Sequence, residues 1–296
     1  MASPYDEYKK NGFYVAKGQL DPQIIRSTLD SLNKSVAAQI MACGGAECGD
    51  DIFDNLKTLF RSDLDRYKKL VGALWRKEAV FALMHNKRII EFLREEFGWD
   101  DLFVPGGQVV HIMAEALRIP NGYFGLVPHQ DFPSVQGSLN GAVVWLPLVK
   151  VDKDNYPLEV IPRSHLRGLA PMVNHGSSTW EVEASWYDES HFVPAEVDVG
   201  DVIFMSMFTI HRSSKHGAPD RCRIAVSTRF DDANETSFIK RAYPSAYIRS
   251  VRREQYEENF PSIDLLGKTF GTSRESFPPP DAIGASRAGR RSPKGS

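Results

Sequence analysis

Two histidines and an aspartate carry the chemistry that stands out in this chain. In His129-Gln130-Asp131 an imidazole and a carboxylate lie two residues apart. On an extended segment side chains i and i+2 project to the same side, so both can reach one metal ion. An H-x-D tripeptide alone has little weight, and a second imidazole supplies the context. His211 closes the apolar run DVIFMSMFTI (201–210), where a single His also reads as a hydrogen-bonded core residue. Taken with His129 and Asp131 it completes a set of two neutral imidazoles and one carboxylate. Such a set on one face of a metal leaves the opposite positions open, which suits non-haem Fe(II) oxygenases.

A cation comes next along the chain. RCRIAVSTRF (221–230) reads as a strand whose period of two puts Cys222, Ile224, Val226, Thr228 and Phe230 on one face. Arg223, Ala225, Ser227 and Arg229 fall on the other. The loop KHGAPD (215–220) can turn the chain back, which would set His211 and Arg223 on adjacent antiparallel strands with both side chains in one cavity. The planar fork of Arg223 matches a carboxylate bidentately, so it can hold the far end of a dicarboxylate cosubstrate whose 2-oxo acid end chelates the metal. Arg221 is the rival clamp, because the loop after His211 can vary in length. Otherwise Arg221 and Arg229 read as surface ion pairs.

These groups need a scaffold to converge. The 296 residues fit one large domain, and 42% hydrophobic content is ample for a core. In the first third, Asp21-Pro22 is an N-cap and N1 pair, and Ile25, Leu29, Leu32, Val36 and Ile40 recur at helical spacing until Gly44-Gly45. Gly12–Ala16 reads as a short strand; 54–74 and 78–97 are helical in period. From about Gly107 the texture turns to β-branched and aromatic runs, at 107–119, 141–149, 158–161, 201–210 and 222–230. Helices first and strands later predict an α+β chain, a β barrel or sandwich with helices outside. Residues 1–270 are expected to form one domain. Residues 271–296, rich in Pro, Ser, Gly and Arg, are expected to be a disordered tail, with Arg287, Arg290, Arg291 and Lys294 solvated. A net charge of −2 points to neither nucleic acid nor an anionic membrane. No apolar leader or spanning run is evident, so a cytoplasmic location is expected. Cys43, Cys48 and Cys222 match no zinc or disulfide framework and are expected to be reduced thiols.

In order along the chain, GFYVAKGQLDPQII, HQD, VVWLPLVKVDKDNYPLEVIPRSH, GDVIFMSMFTIHRSS and RCRIAVSTRF resemble the phytanoyl-CoA dioxygenase-like branch of the Fe(II)/2-oxoglutarate oxygenases, over about Gly12 to Phe230. The resemblance implies a double-stranded β-helix core, of jelly-roll or cupin-like type, with flanking helices. It implies iron on His129, Asp131 and His211, and the distal carboxylate of 2-oxoglutarate on Arg223. Ser213 matches a position that assists the carboxylate site, and Trp145 an aromatic that lines the cosubstrate pocket. Matching backwards from Arg229-Phe230 favours Arg223 over Arg221. Two turns depart from the pattern, Arg163-Ser164-His165 where relatives commonly read G-S-H, and Asp154–Pro157 where they carry Gly; both concern turns more than chemistry. The segment 111–118 offers no polar cosubstrate contact of the kind relatives place there.

The reaction expected is oxidation by dioxygen of a small organic molecule, hydroxylation by default, with 2-oxoglutarate converted to succinate and CO2. Halogenation needs a small residue in place of the carboxylate ligand, which Asp131 argues against. Phe132, Gln136, Ser138 and Asn140 are expected to face the substrate, and 180–192, with Trp186, Tyr187 and His191, to form a lid. A small polar metabolite or natural-product intermediate is expected, since no acyl-CoA clamp is evident. The oligomeric state is not specified. Two alternatives remain: a cupin-like isomerase or hydrolase holding Zn2+ or Ni2+, and a non-catalytic metal-binding sensor.

Overall fold

A computed structural model of the chain describes residues 2–45, 48–105, 107–120, 122, 124–173, 181–241 and 262–271. The tail beyond Gly271 and Trp180 of the expected lid lie outside the described residues.

Helix α1 (Pro4–Asn11) opens on a capping box between Ser3 and Asp6. It is not evident in the sequence because it buries only Tyr8, too little to show an apolar period. Helix α2 (Pro22–Ala42) is capped by Asp21, which accepts from Gln23 N at 2.8 Å, and buries Ile25, Leu32, Val36 and Ile40. The periodic stretch at 54–74 is two helices, α3 (Ile52–Ser62) and α4 (Leu64–Val71). Asp63 breaks them by capping the second, accepting from Arg66 N at 2.9 Å. The stretch at 78–97 divides likewise into α5 (Glu78–Met84) and α6 (Lys87–Phe97), with Asn86 as the new N-cap. Short polar side chains that cap a helix are what end these runs, although the apolar period continues through them.

The strands are β1 (Phe13–Ala16), β2 (Leu102–Phe103), β3 (Val109–Met113), β4 (Ala142–Pro147), β5 (Leu158–Val160), β6 (Met172–Val173), β7 (Glu181–Val182), β8 (Val193–Ala195), β9 (Val202–Ser206), β10 (His211–Ser213) and β11 (Arg223–Asp232). One antiparallel sheet runs β1-β9-β4-β11, with β3 and β2 against the outer edge of β11; a second runs β10-β5-β8. From β4 onward the chain crosses from large sheet to small and back, which is the double-stranded β-helix. Helix α7 (Phe132–Val135) and helix α8 (Ile263–Phe270) complete the described α-helices. None of the described helices is long and apolar enough to cross a membrane.

Strands β4 and β9 are buried along their whole length. Phe204 stacks on Phe92 of α6 at 4.5 Å between centroids, and Phe230 meets His85 beyond α5 edge-on. The alternate residues Val143, Trp145 and Met205 line a cavity on the sheet's other face. A strand covered on both faces reads as an unbroken apolar run, so AVVWLP and VIFMS give no alternation.

Three contacts pin the segment that leads into His211. Thr209 Oγ1 donates to Gly12 O at 2.7 Å, Ile210 N donates to Ser164 Oγ at 2.8 Å, and Ile161 N donates to Ile210 O at 2.9 Å. Gly12 sits at φ +83°, and a Cβ there would collide with His165 Nδ1 and Thr209 Oγ1. Gly98 caps α6 at φ +72° with nothing within 4 Å of a Cβ. Gly98→Ala should therefore cost only the left-handed backbone, about 1–2 kcal/mol, whereas Gly12→Ala adds overpacking and should cost about 3 kcal/mol or more. Equal losses in denaturant unfolding of the two variants would mean that His165 moves aside freely.

Candidate metal centre and cavity

His129 and His211 face each other across a short antiparallel bridge: each donates its N–H to the other's carbonyl at 3.0 Å. Their rings lie 4.1 Å apart between centroids. His129 Nδ1 is 2.7 Å from Val127 O and His211 Nδ1 is 3.0 Å from Thr209 O. A carbonyl accepts only, so both Nδ1 atoms carry a proton, and Nε2 is the ring nitrogen that each imidazole can offer a metal. Burial, with His129 alongside, pulls His211 down to about 3, so it is neutral near pH 7.

Gln130, between the two candidate ligands, points away. Its amide nitrogen donates to Gly168 O and Phe208 O while its oxygen accepts from Ala170 N, so all its groups are bonded. Asp131 departs from the extended backbone expected: at φ −79°, ψ −25° it is the first residue of a helical turn, and its carbonyl accepts from Ser134 N and Val135 N. The carboxylate nevertheless faces the imidazoles, Oδ1 lying 3.5 Å from His129 Nε2. One donor atom from each of His129, Asp131 and His211 lies within 4.8 Å of the others, and among the described residues this is the single cluster of three or more His, Cys, Asp or Glu able to hold a metal.

The other oxygen of Asp131 belongs to Arg229. Arg229 Nε and one terminal nitrogen reach Asp131 Oδ2 at 3.2 and 2.9 Å, and its remaining nitrogen reaches Ser227 Oγ at 3.3 Å. Burial alone would raise the carboxyl; Arg229, His129 and His211 outweigh it and hold Asp131 well below the usual carboxylate range. Arg229 is thus no surface ion pair. It shares the inward face of β11 with Arg223, six residues earlier, and the same alternation that identified Arg223 identifies it. Arg221 does pair at the surface, with Asp152 at 3.0 Å.

Arg223 is almost wholly buried. It donates to Tyr156 O at 2.6 Å and to Ser213 Oγ at 3.1 Å, and lies 2.8 Å from Met113 Sδ. The Ser213 contact crosses between the sheets, since His211 and Ser213 are on β10 and Arg223 is on β11. The two strands are therefore opposite walls of one cavity and not adjacent in one sheet, because the loop between them carries the chain across the sandwich. Tyr156, at φ +50°, belongs to the Asp154–Pro157 turn, and Ser164, which comes after Arg163 at φ +68°, holds Ile210. Both divergent turns thus touch the site.

Trp145 and His111 line the same cavity, whose volume is about 20 Å3. His111 Nε2 is 3.0 Å from Ser227 Oγ, and burial, reinforced by Arg223 and Arg229, holds the ring well below the usual histidine range. The segment 111–118 therefore does place a polar group on this wall, missed because an isolated His in an apolar strand carries no spacing signal. The residues after the metal motif do not line the cavity. Phe132 stacks on Phe208 at 4.3 Å, Ser138 is bonded to Asp231 and Asn140 to Asp232, which ties α7 to the end of β11. In the expected lid, Trp186 is buried in a separate small core with Ile161, Ala170, Val182 and Ile210, while Tyr187 and Phe192 pack against it. The three cysteines are free thiols, and burial pushes Cys222 up to about 12.

A family model described as phytanoyl-CoA dioxygenase (PhyH) matches residues 8–223. A search of curated proteins gives no match. Among solved structures, a non-heme monooxygenase, ThoJ, is similar at 17% identity and TM-score 0.52, covering 78% of this chain and 77% of its own. SnoN, a non-heme alpha-ketoglutarate-dependent epimerase from nogalamycin biosynthesis, matches at 17% identity and TM-score 0.51 (78% and 82%). SnoK, a carbocyclase from the same biosynthesis, matches at 15% and 0.51 (78% and 83%). At these identities the likeness is one of fold.

The buried imidazoles set an acid dependence. His165 is pulled to about 4 by burial, though Lys9 O bonds it, and His211 to about 3. Between the ordinary value near 6.5 and these values the unfolded chain binds protons that the native one refuses, so stability falls as pH falls through this window. Asp131 adds loss of the same sign below about 3.8. For metal-free protein, His165 alone should contribute a loss of roughly 3 kcal/mol between pH 6.5 and 4. Denaturant unfolding across that range checks it, and His165→Gln should flatten the slope.

Proposed function

This chain belongs to the phytanoyl-CoA dioxygenase family, whose members are non-haem iron- and 2-oxoglutarate-dependent oxygenases, and from that premise we propose that it oxidises a small-molecule metabolite or natural-product intermediate at a centre built on His129, Asp131 and His211. The donor set fits Fe(II): two Nε2 lone pairs and a carboxylate oxygen, buried, with no fourth protein ligand beside them among the described residues. Bound there, iron would supply dioxygen activation driven by decarboxylation of 2-oxoglutarate to succinate.

The remaining work falls to this chain's own side chains. Arg223, steadied by Tyr156 O and Ser213 Oγ, binds the distal carboxylate of 2-oxoglutarate, and Trp145 forms the wall beside it. His111, neutral, adds a polar contact without a second charge. Leu126, Val143, Leu158 and Met205 give the cavity an apolar wall, beside which charged contacts are stronger than in water. Hydroxylation is the expected reaction; SnoN and SnoK, similar in fold, are an epimerase and a carbocyclase, so the placement of the substrate's C–H bond decides which product forms. Residues 1–270 act as a single domain in the cytoplasm under this reading. The observation that carries it is that the two imidazoles, which have the Asp131 carboxylate within 4.8 Å, share one cavity with the buried guanidinium of Arg223.

Anaerobic protein given Fe(II) and then 2-oxoglutarate should develop a visible charge-transfer band from chelation by the 2-oxo acid. His129→Ala, Asp131→Ala and His211→Ala should each lose it while keeping the wild-type circular dichroism; absence of the band in wild type sinks the reading. In turnover, Arg223→Ala should raise the apparent KM for 2-oxoglutarate about tenfold to a hundredfold, since a charged hydrogen bond contributes about 1.5–3 kcal/mol. Arg221→Ala should change it little, and the reverse ranking would move the clamp to Arg221.

A further inference from the structure

The Arg229–Asp131 pair lies largely buried beside the two imidazoles. Asp131 has two oxygens, and the structure divides them. Oδ1 faces His129 Nε2 at 3.5 Å, while Oδ2 receives two N–H groups from Arg229 at 3.2 and 2.9 Å. Arg229 is itself oriented, since its third nitrogen lies 3.3 Å from Ser227 Oγ, which is 3.0 Å from His111 Nε2. Its side chain is 17% exposed and that of Asp131 is 7%, so water competes little for either.

We propose that Arg229 is a positioning residue that reserves Asp131 for ligation through one oxygen. The inference rests on the reading of His129, Asp131 and His211 as the iron site. Six-coordinate iron held by two imidazoles and one carboxylate oxygen has three positions left, enough for a chelating 2-oxo acid and dioxygen. A carboxylate that closed on the metal through both oxygens would take one of the three. A two-pronged charged contact to Oδ2 opposes that closure and is stronger than a neutral hydrogen bond. The strand supplies it without a separate element, because Arg229 lies on the same inward face of β11 as Arg223. One strand thus presents one guanidinium to the cosubstrate and a second to the metal's carboxylate.

The test uses full-length protein loaded with Ni(II), a redox-silent stand-in that can be handled in air. Crystal structures of wild type and Arg229→Met report how many Asp131 oxygens contact the metal, and titrations report metal and 2-oxoglutarate affinity separately. Wild type should show one oxygen. Arg229→Met should show two, with Ni(II) affinity close to wild type and 2-oxoglutarate bound about 10- to 100-fold more weakly. Arg229→Lys, which keeps the charge and loses the fork, should fall between them and decides the matter if the Met variant does not fold. One-oxygen ligation with wild-type 2-oxoglutarate affinity in a folded variant overturns the proposal. So does a parallel loss of both affinities, which is what a purely structural ion pair would give. Wild type that holds no Ni(II) at these three residues overturns the underlying site assignment, and the proposal with it.

Discussion

The two reciprocal backbone hydrogen bonds between His129 and His211 are the constraint on which this structure turns. They join residues far apart in sequence into one antiparallel pair and bring the imidazoles to 4.1 Å between ring centroids. Neither segment could hold that register alone. The His129 side is fixed by Gln130, whose amide is spent on three backbone groups, and the His211 side by Gly12, Ser164 and Thr209. The N-terminal third is therefore tied to the segment before His211 at Gly12, a spot where a methyl group would not fit. A single extended pair bonded at both ends, with each Nδ1 tied to a backbone carbonyl, holds the two imidazoles in fixed orientation in a buried site.

Charge in the cavity is arranged by the same economy of elements. Strand β11 carries two guanidinium groups on one face while its other face packs Phe230 beneath the helices. One buried and one partly buried cation on the same strand face would destabilise the sheet if neither had a carboxylate or a fixed dipole to meet. Arg229 meets Asp131, and Arg223 meets the carbonyl of Tyr156 and the hydroxyl of Ser213. The titratable ring between them, His111, is kept neutral, so it adds no third charge.

Much of this is legible in the sequence because it obeys period and residue type. The run 221–230 alternates so plainly that the inward face of β11 can be written down, and the capped start of α2 at Asp21-Pro22 needs no tertiary information. The features that stay hidden depend on partners distant in the chain. Arg229 falls on the correct face yet reads as exposed, because a strand pattern does not say which carboxylate stands opposite. His111 shows nothing, as its role exists only once Ser227 and two arginines surround it. Phe132, Ser138 and Asn140 come directly after the metal motif, but the helical turn that begins at Asp131 swings them away to Phe208, Asp231 and Asp232. Proximity in sequence misleads where the backbone leaves the extended conformation.

Hairpin β6–β7 adds itself to the small sheet on the far side of His129: Val182 N donates to Pro128 O at 2.8 Å, and Glu181 stands opposite His129 in the ladder. The ligand strand thus has a neighbour on each side, His211 on one and a short hairpin on the other. Of the two, the hairpin is the exchangeable one, for it bears none of the candidate ligands and only its Val182 joins the small core around Trp186. Divergence within such a scaffold can therefore proceed by grafting, with new hairpins laid against an unchanged ligand strand so that the wall a substrate meets is remodelled while the metal's surroundings are inherited intact.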